Sequence, residues 1–72
     1  MYDIYEDKET RYGTITYAMQ DFGYGSVWID DDGSIAYQDA CGYKKWKTIK
    51  GFEKWVAKQN AMCGGVYENI ND

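Results

Sequence analysis

Asp32-Gly33 stands between two short apolar runs, in "SVWIDDDGSIAY", and few features of this chain constrain its fold as strongly. Asp and Gly both tolerate positive φ, and such a pair flanked by β-branched and aromatic residues is a strong hairpin signal. Val27 and Ile29 share one face of the first strand. Ile35 and Tyr37 share one face of the second.

Upstream, Tyr12 to Met19 alternates at period two and reads as another strand. Ile15, Tyr17 and Met19 are expected on one side. Tyr12, Thr14, Thr16 and Ala18 are expected on the other. "DFGYG", Asp21 to Gly25, reads as a turn, and residues 2–6 as a short edge strand.

Downstream the period changes from two to 3.6. Thr48 is the expected N-cap of a helix that Gly64 and Gly65 end, its last turns near Gln59 to Met62. At 100° per residue Ile49, Phe52 and Val56 share one face, with Trp55 at its flank. Lys47, Lys50, Lys54 and Lys58 fall on the opposite face. Gly51 lowers helix propensity by about 1 kcal/mol but lies near the first turn. "GGVYENI" is expected to add a brief last strand. The expected fold is a single α+β domain over residues 1–72: a two-layer, three- to four-stranded antiparallel sheet with one amphipathic helix packed on one face. The other sheet face exposes Tyr12, Thr14, Thr16 and Trp28, a candidate surface for homodimerisation or partner binding.

Seventy-two residues can bury only a small core. Eight Tyr, three Trp and two Phe enlarge it, since each large ring buries on the order of 150–250 Å². Trp28, Trp46 and Trp55 are therefore expected to be core residues first. Cys41 and Cys63 match neither a zinc nor a redox spacing and are expected as free, partly buried thiols, a bridge between them being the alternative. No apolar run approaches the roughly 20 residues of a membrane span. The acidic N-terminus lacks the charge order of a signal peptide, so the expected location is cytoplasmic.

Chemistry is excluded more readily than it is found. The chain has no His, so Ser-His and Cys-His catalysis is out of reach. "GYGS" fits neither a phosphate loop nor a dinucleotide fingerprint. Aligning Gly33 with the invariant glycine of a calcium loop places Asp30, Asp32 and Asp39 at ligand positions. It also places Trp28, which cannot ligate, at the first of them, and the flanking elements are strands rather than helices. Adjacent aspartates at a hairpin tip stay solvated and lack the raised pKa of an acid–base pair. The expectation is no catalytic residue, no metal and no cofactor.

Charge distribution is more informative. Residues 1–39 hold nine acidic groups against Lys8 and Arg11, residues 40–58 six lysines against Glu53, and the tail Glu68 and Asp72, for a net charge of −4. Two surfaces of opposite sign on a small body steer and orient docking. The lysine stripe could also meet phosphates. However, the remainder of the molecule is acidic, and the helix has no Arg to read bases.

The order strand, "DDDG", strand, then "TIKGFEKWV" with Trp55 resembles small bacteriophage-encoded proteins over residues 25–57, in particular some anti-CRISPR inhibitors of type I systems. The resemblance implies a non-enzymatic, stoichiometric inhibitor used in host defence evasion. Its partner would be a host protein effector, such as a CRISPR-associated nuclease or surveillance complex, whose nucleic-acid site it blocks. The helix of such inhibitors is itself acidic, whereas this one is lysine-striped. The acidic surface then comes from strands and turns: Glu6, Asp7, Asp30, Asp31, Asp32 and Asp39, beside Trp28. The alternative is a nucleic-acid-binding accessory protein that uses Lys47, Lys50, Lys54 and Lys58.

Overall fold

The computed structural model describes residues 6–70, with the side chain of Cys63 outside the description. Among the described residues there are six strands and one helix: β1 (Lys8–Thr10), β2 (Gly13–Ile15), β3 (Gln20–Phe22), β4 (Gly25–Ile29), β5 (Ile35–Asp39), β6 (Gly42–Trp46) and α1 (Ile49–Cys63). β1 and β2 form a two-stranded hairpin, and β3-β4-β5-β6 an antiparallel meander in sequence order. The fold is α+β, with α1 packed on one face of the four-stranded sheet.

Register decides which side chains meet the helix. Val27 pairs with Tyr37 and Ile29 with Ile35, while Ile35 pairs with Trp46. Successive residues alternate faces, so Val27, Ile29, Ile35, Tyr37 and Trp46 point to α1. From the helix come Phe52 and Val56, both fully buried. The Phe52 ring packs tilted against Phe22 at 5.8 Å and edge-on against Trp46 at 5.3 Å between centroids. Ile15 and Tyr67 complete the core, and Tyr12, Trp46, Ile49, Trp55, Val66 and Ile70 pack half-buried around it.

The helix begins and ends where its sequence says. Thr48 is extended (φ −127°, ψ 150°) and its Oγ1 accepts from the Gly51 N–H at 3.1 Å. Gly64 is left-handed (φ 77°), and the Gly64 and Gly65 N–H groups both donate to the Asn60 carbonyl. The central hairpin also forms as its sequence says, with Gly33 at φ 83° and its N–H donating to the Asp30 carbonyl.

Several other expectations are corrected. Tyr12 to Met19 is not one strand. β2 ends at Ile15, because the Thr16 carbonyl turns to accept from the Ile29 N–H at 2.8 Å and closes the end of β4. Tyr17 and Met19 are therefore exposed, at 69% and 64%, instead of sharing a buried face with Ile15. Buried Gln20 holds this loop. In the amide orientation that satisfies its neighbours, its oxygen accepts from Thr16 N–H and Oγ1, and its nitrogen donates to the Val27 and Ala18 carbonyls. Tyr12 is half-buried against the core, Thr14 lies in the smaller hairpin, and Thr16 is spent on the loop, so Trp28 alone of the four expected side chains lies on the open face of the main sheet. Asp21 and Phe22 are strand, leaving Gly23-Tyr24 as the turn. β1 and β6 were not expected. The strand expected over residues 2–6 lies outside the described residues except for Glu6, which is exposed and in no strand.

The C-terminal segment is also not a strand. It folds back over the core and is clamped there. The Tyr67 N–H donates to Asn60 Oδ1 at 2.7 Å, and Asn60 Nδ2 donates to the Tyr67 carbonyl at 2.8 Å. The Tyr67 ring sits 5.3 Å from Phe22 and 5.4 Å from Trp55. Gly23 is left-handed (φ 60°), and a Cβ there would run into the Tyr67 ring. The smaller hairpin is tied to the helix by the Arg11 N–H, which donates to Glu53 Oε2 at 2.8 Å.

Candidate functional site

The sheet face turned away from α1 carries Asp21, Ser26, Trp28, Ala36, Gln38, Tyr43 and Lys45, by the register that places Trp28 opposite Ala36 and Ala36 opposite Lys45. Ala36 is fully buried although it lies on this face; larger neighbours cover it. The Trp28 and Tyr43 rings lie 6.2 Å apart. The acidic turn sits at the edge of this face, immediately after β4.

The turn is an ordered structure, not a loose charged tip. Tyr43 Oη donates to Asp30 Oδ2 at 2.8 Å. Lys45 Nζ bridges Asp30 Oδ2 at 3.1 Å and Asp32 Oδ2 at 3.0 Å. The Asp31 N–H donates to Asp30 Oδ1, and the Ser34 N–H to Asp32 Oδ1. The Tyr43 hydroxyl, then the Asp31 N–H and Lys45, hold the Asp30 carboxyl below its ordinary pKa. Lys45, then the Ser34 backbone and hydroxyl, hold Asp32 well below the carboxylate range. In return the Asp32 and Asp30 carboxylates raise the Lys45 ammonium, and Asp30 raises the Tyr43 phenol. Each charged form is favoured by a partner at hydrogen-bond distance. These carboxylates are thus fixed as anions, the reverse of what a general acid requires.

Beside the turn lies a shallow cleft of about 480 Å³ lined by Tyr17, Trp28, Ile29, Asp30 and Asp31. Asp31 is exposed and Asp30 half-exposed. The remaining sequence-derived candidates do not join this patch. Asp39 is at the opposite end of β5, where its Oδ2 accepts from Tyr37 Oη at 2.9 Å and its Oδ1 from the Cys41 N–H at 2.8 Å. The Tyr37 hydroxyl, then the backbone of Cys41 and Gly42 and the charge of Lys44, hold Asp39 low. Burial, then Tyr67 and Asp39, push the Tyr37 phenol far up. Tyr37 Oη also lies 2.9 Å from Tyr67 Oη, so Asp39 anchors a buried hydroxyl chain that fastens the C-terminal segment. It stands apart from the acidic turn, at the other end of the strand. Glu6 and Asp7 line a separate hollow with Lys8, Glu9, Thr14 and Ile49.

Lys50, Lys54 and Lys58 are exposed on the side of α1 that faces away from the sheet, and Lys47 is exposed just before the N-cap. The lysines and the Trp28 face therefore occupy the two outer surfaces of the two-layer molecule. Trp46 and Trp55 are half-buried against the core. Cys41 is a free thiol and exposed, not partly buried, because it sits in the β5–β6 turn. Tyr17, Tyr43 and Lys45 were not singled out from sequence. The period-two spacing of Tyr43 and Lys45 is the signal that places both on one face once β6 is recognised as a strand. Among the described residues no group of three His, Cys, Asp or Glu is placed to hold a metal ion, and no helix is long and apolar enough to cross a membrane. No protein-family model, curated protein or solved structure matches the chain.

Proposed function

We propose that the chain is a small non-enzymatic protein-binding inhibitor. It docks through charged surfaces on a host nucleic-acid-processing defence complex and blocks that complex in the cytoplasm of a phage-infected bacterium, in the manner the anti-CRISPR resemblance implies. The observation that carries the reading is the preorganised acidic and aromatic face, where Asp30 and Asp32 are locked as anions by Lys45 beside Trp28 and Tyr43. A rigid anionic surface loses little entropy on docking and steers a basic partner toward itself. Such a surface suits a groove built to hold nucleic acid.

The test is capture from nuclease-treated bacterial host lysate by wild type and by the Asp30→Asn, Asp31→Asn, Asp32→Asn triple variant. Asn keeps a side-chain acceptor and the turn conformation, so the fold should persist. The expected result is a protein partner retained by wild type after nuclease, with slower and less salt-dependent association in the triple variant. A partner lost on nuclease treatment overturns the reading.

A second reading, a nucleic-acid-binding accessory protein, is favoured by the outward exposure of Lys50, Lys54 and Lys58 along one helix. It requires micromolar binding to random duplex DNA at about 0.15 M salt, with the slope of log affinity against log salt falling by about 0.9 per lysine contact removed. The inhibitor reading expects no such binding, because the net charge is −4 and repulsive.

A further inference from the structure

We propose that the open edge of β6 receives an extended acidic segment of a partner protein. The segment adds to the main sheet as a fifth strand, with a carboxylate opposite Lys44 and a β-branched side chain opposite Trp46. The inference goes beyond the docking reading and uses a surface other than the acidic turn.

The meander has two edge strands, β3 and β6. β3 is three residues long, and two of them, Gln20 and Phe22, are buried. β6 is five residues long, with residues 42–45 all exposed. An edge strand has one neighbour, so half of its backbone N–H and C=O groups point outward. Among the described residues no hydrogen bond beyond the β5 ladder engages the backbone of residues 43–46. Those outward groups are a template for one more strand.

Side chains decide which strand fits. Lys44 pairs with Tyr37 and Trp46 with Ile35, so both lie on the helix side, two positions apart. Lys45 lies on the other side and is already held by Asp30 and Asp32. Lys44 makes no ion pair or side-chain hydrogen bond among the described residues. Asp39 feels its charge, but that carboxylate is taken up by Tyr37 Oη and the Cys41 N–H. From residue 40 to residue 52 the chain carries Lys44, Lys45, Lys47 and Lys50 and no acid.

Lysines on an edge guard it against indiscriminate pairing. A second copy of β6 would bring its own Lys44 and Lys45 to this edge, and like charges facing each other across strands are destabilising. An acidic strand turns the same guard into a favourable cross-strand pair. Trp46 is half-buried, its ring 5.1 Å from Trp55. A β-branched side chain opposite it covers aromatic surface that the fold leaves open. In an antiparallel partner the two positions are again two residues apart, the apolar one first and the acidic one second.

The experiment is an NMR titration of the intact protein with N-acetylated Thr-Val-Thr-Glu-Thr amide, and separately with the same peptide carrying Lys in place of Glu. The proposal expects saturable shifts centred on β6, and protection of the alternate β6 amides that exchange freely in the free protein. The Glu peptide should bind about threefold tighter than the Lys peptide. The net charge of −4 favours the Lys peptide, so the expected order can only come from charge local to β6. Lys44→Gln, at an exposed position, should erase the preference and leave the melting temperature unchanged. The Glu peptide N-methylated at every residue keeps its side chains, loses its backbone donors and should not bind. The proposal is overturned by an absence of saturable β6 shifts at millimolar peptide, or by equal or reversed affinities. Shifts without amide protection overturn it as well, as does undiminished binding of the N-methylated peptide. β6 shifts that grow with protein concentration alone also overturn it, since a second copy would then occupy the edge.

Discussion

Replacing Asn60 with alanine tests whether the C-terminal segment is part of the folded core. The Asn60 side chain makes two hydrogen bonds to the backbone of one residue, accepting from Tyr67 N–H at 2.7 Å and donating to the Tyr67 carbonyl at 2.8 Å. Alanine leaves the helix-end bonds to the Asn60 carbonyl untouched and removes both of the others. Each such bond contributes about 0.5–1.5 kcal/mol net, and the cost rises when the partner is left buried and unpaired. The Tyr67 residue is only 3% exposed, so its backbone groups do not readily find water. Two bonds then sum to about 2–3 kcal/mol, offset by up to roughly 0.7 kcal/mol of better helix propensity. A domain of 72 residues holds about 4–11 kcal/mol in total, so a net loss near 2 kcal/mol is large. With a urea slope of about 1 kcal/mol per molar, the midpoint should fall by about 2 M. Tryptophan fluorescence follows it well, because the Trp55 ring is 5.4 Å from Tyr67. A midpoint shift under about 0.5 M would mean that the clamp contributes little and that packing alone seats Tyr67.

Phe52→Ala removes a fully buried ring from between Phe22 and Trp46 and should cost about 3–5 kcal/mol; collapse of NMR dispersion is the readout. Lys54→Ala, on the exposed side of the same helix, should stay within about 0.5 kcal/mol of wild type in the same urea titration. Asp30, Asp32 and Asp39 all have folded-state pKa values below the ordinary 3.8. The stability they contribute is therefore fully present above that value and is lost as pH falls through the lowered ones. Melting temperature should decline steeply below about pH 4, and Asp30→Asn with Asp32→Asn should flatten that decline.

What the sequence made legible was local. Gly33 takes positive φ within the turn itself, Thr48 caps three residues ahead, and Gly64 closes the helix beside Asn60. What it left hidden was settled by contacts between distant residues. Nothing near Thr16 announces that its carbonyl will serve Ile29, which is what stops the alternating run from Tyr12 to Met19 from being one strand. β6 is almost wholly exposed, so "GYKKW" has no apolar alternation to betray it, and the Gly42 conformation (φ 149°) that begins it follows a weak turn signal in Ala40-Cys41. Tyr67 looks like one more tail residue until Asn60, Tyr37 and the space above Gly23 gather around it. The candidate site divides the same way. Trp28 and the three aspartates are neighbours in sequence, but Tyr43 and Lys45 join them only through the β5–β6 register. Asp39, close to the turn in the sequence, is carried to the far end of the sheet by the length of β5.

The lysine stripe poses an energetic question that one substitution answers. Lys50 lies in the first turn of α1, which has no acidic residue, and the last turn has no basic one. Cations are disfavoured at the positive end of a helix, by about 0.3–1 kcal/mol at exposed sites. Lys50, Lys54 and Lys58 also follow one another at i, i+4 and i+8, and each like-charge pair at that spacing costs a few tenths of a kcal/mol, about 0.2–0.5. The stripe therefore works against the helix that carries it. Lys50→Glu reverses the dipole interaction and converts the Lys50–Lys54 repulsion into a favourably oriented Glu–Lys pair, partly offset by new repulsion from Glu53 three residues on, a combined gain of about 0.5–1 kcal/mol. For a domain of this size 1 kcal/mol moves the melting temperature by about 4–8 °C, so a rise of several degrees is expected. The rise should shrink with added salt, because both terms are screened. An unchanged or lower melting temperature would show that Lys50 has a stabilising partner and that the stripe is simply a solvated face. A more stable Lys50→Glu variant that also releases the captured partner would mean that the wild-type helix gives up stability to present these charges, which places the lysine side of the molecule in contact with an acidic patch of the partner.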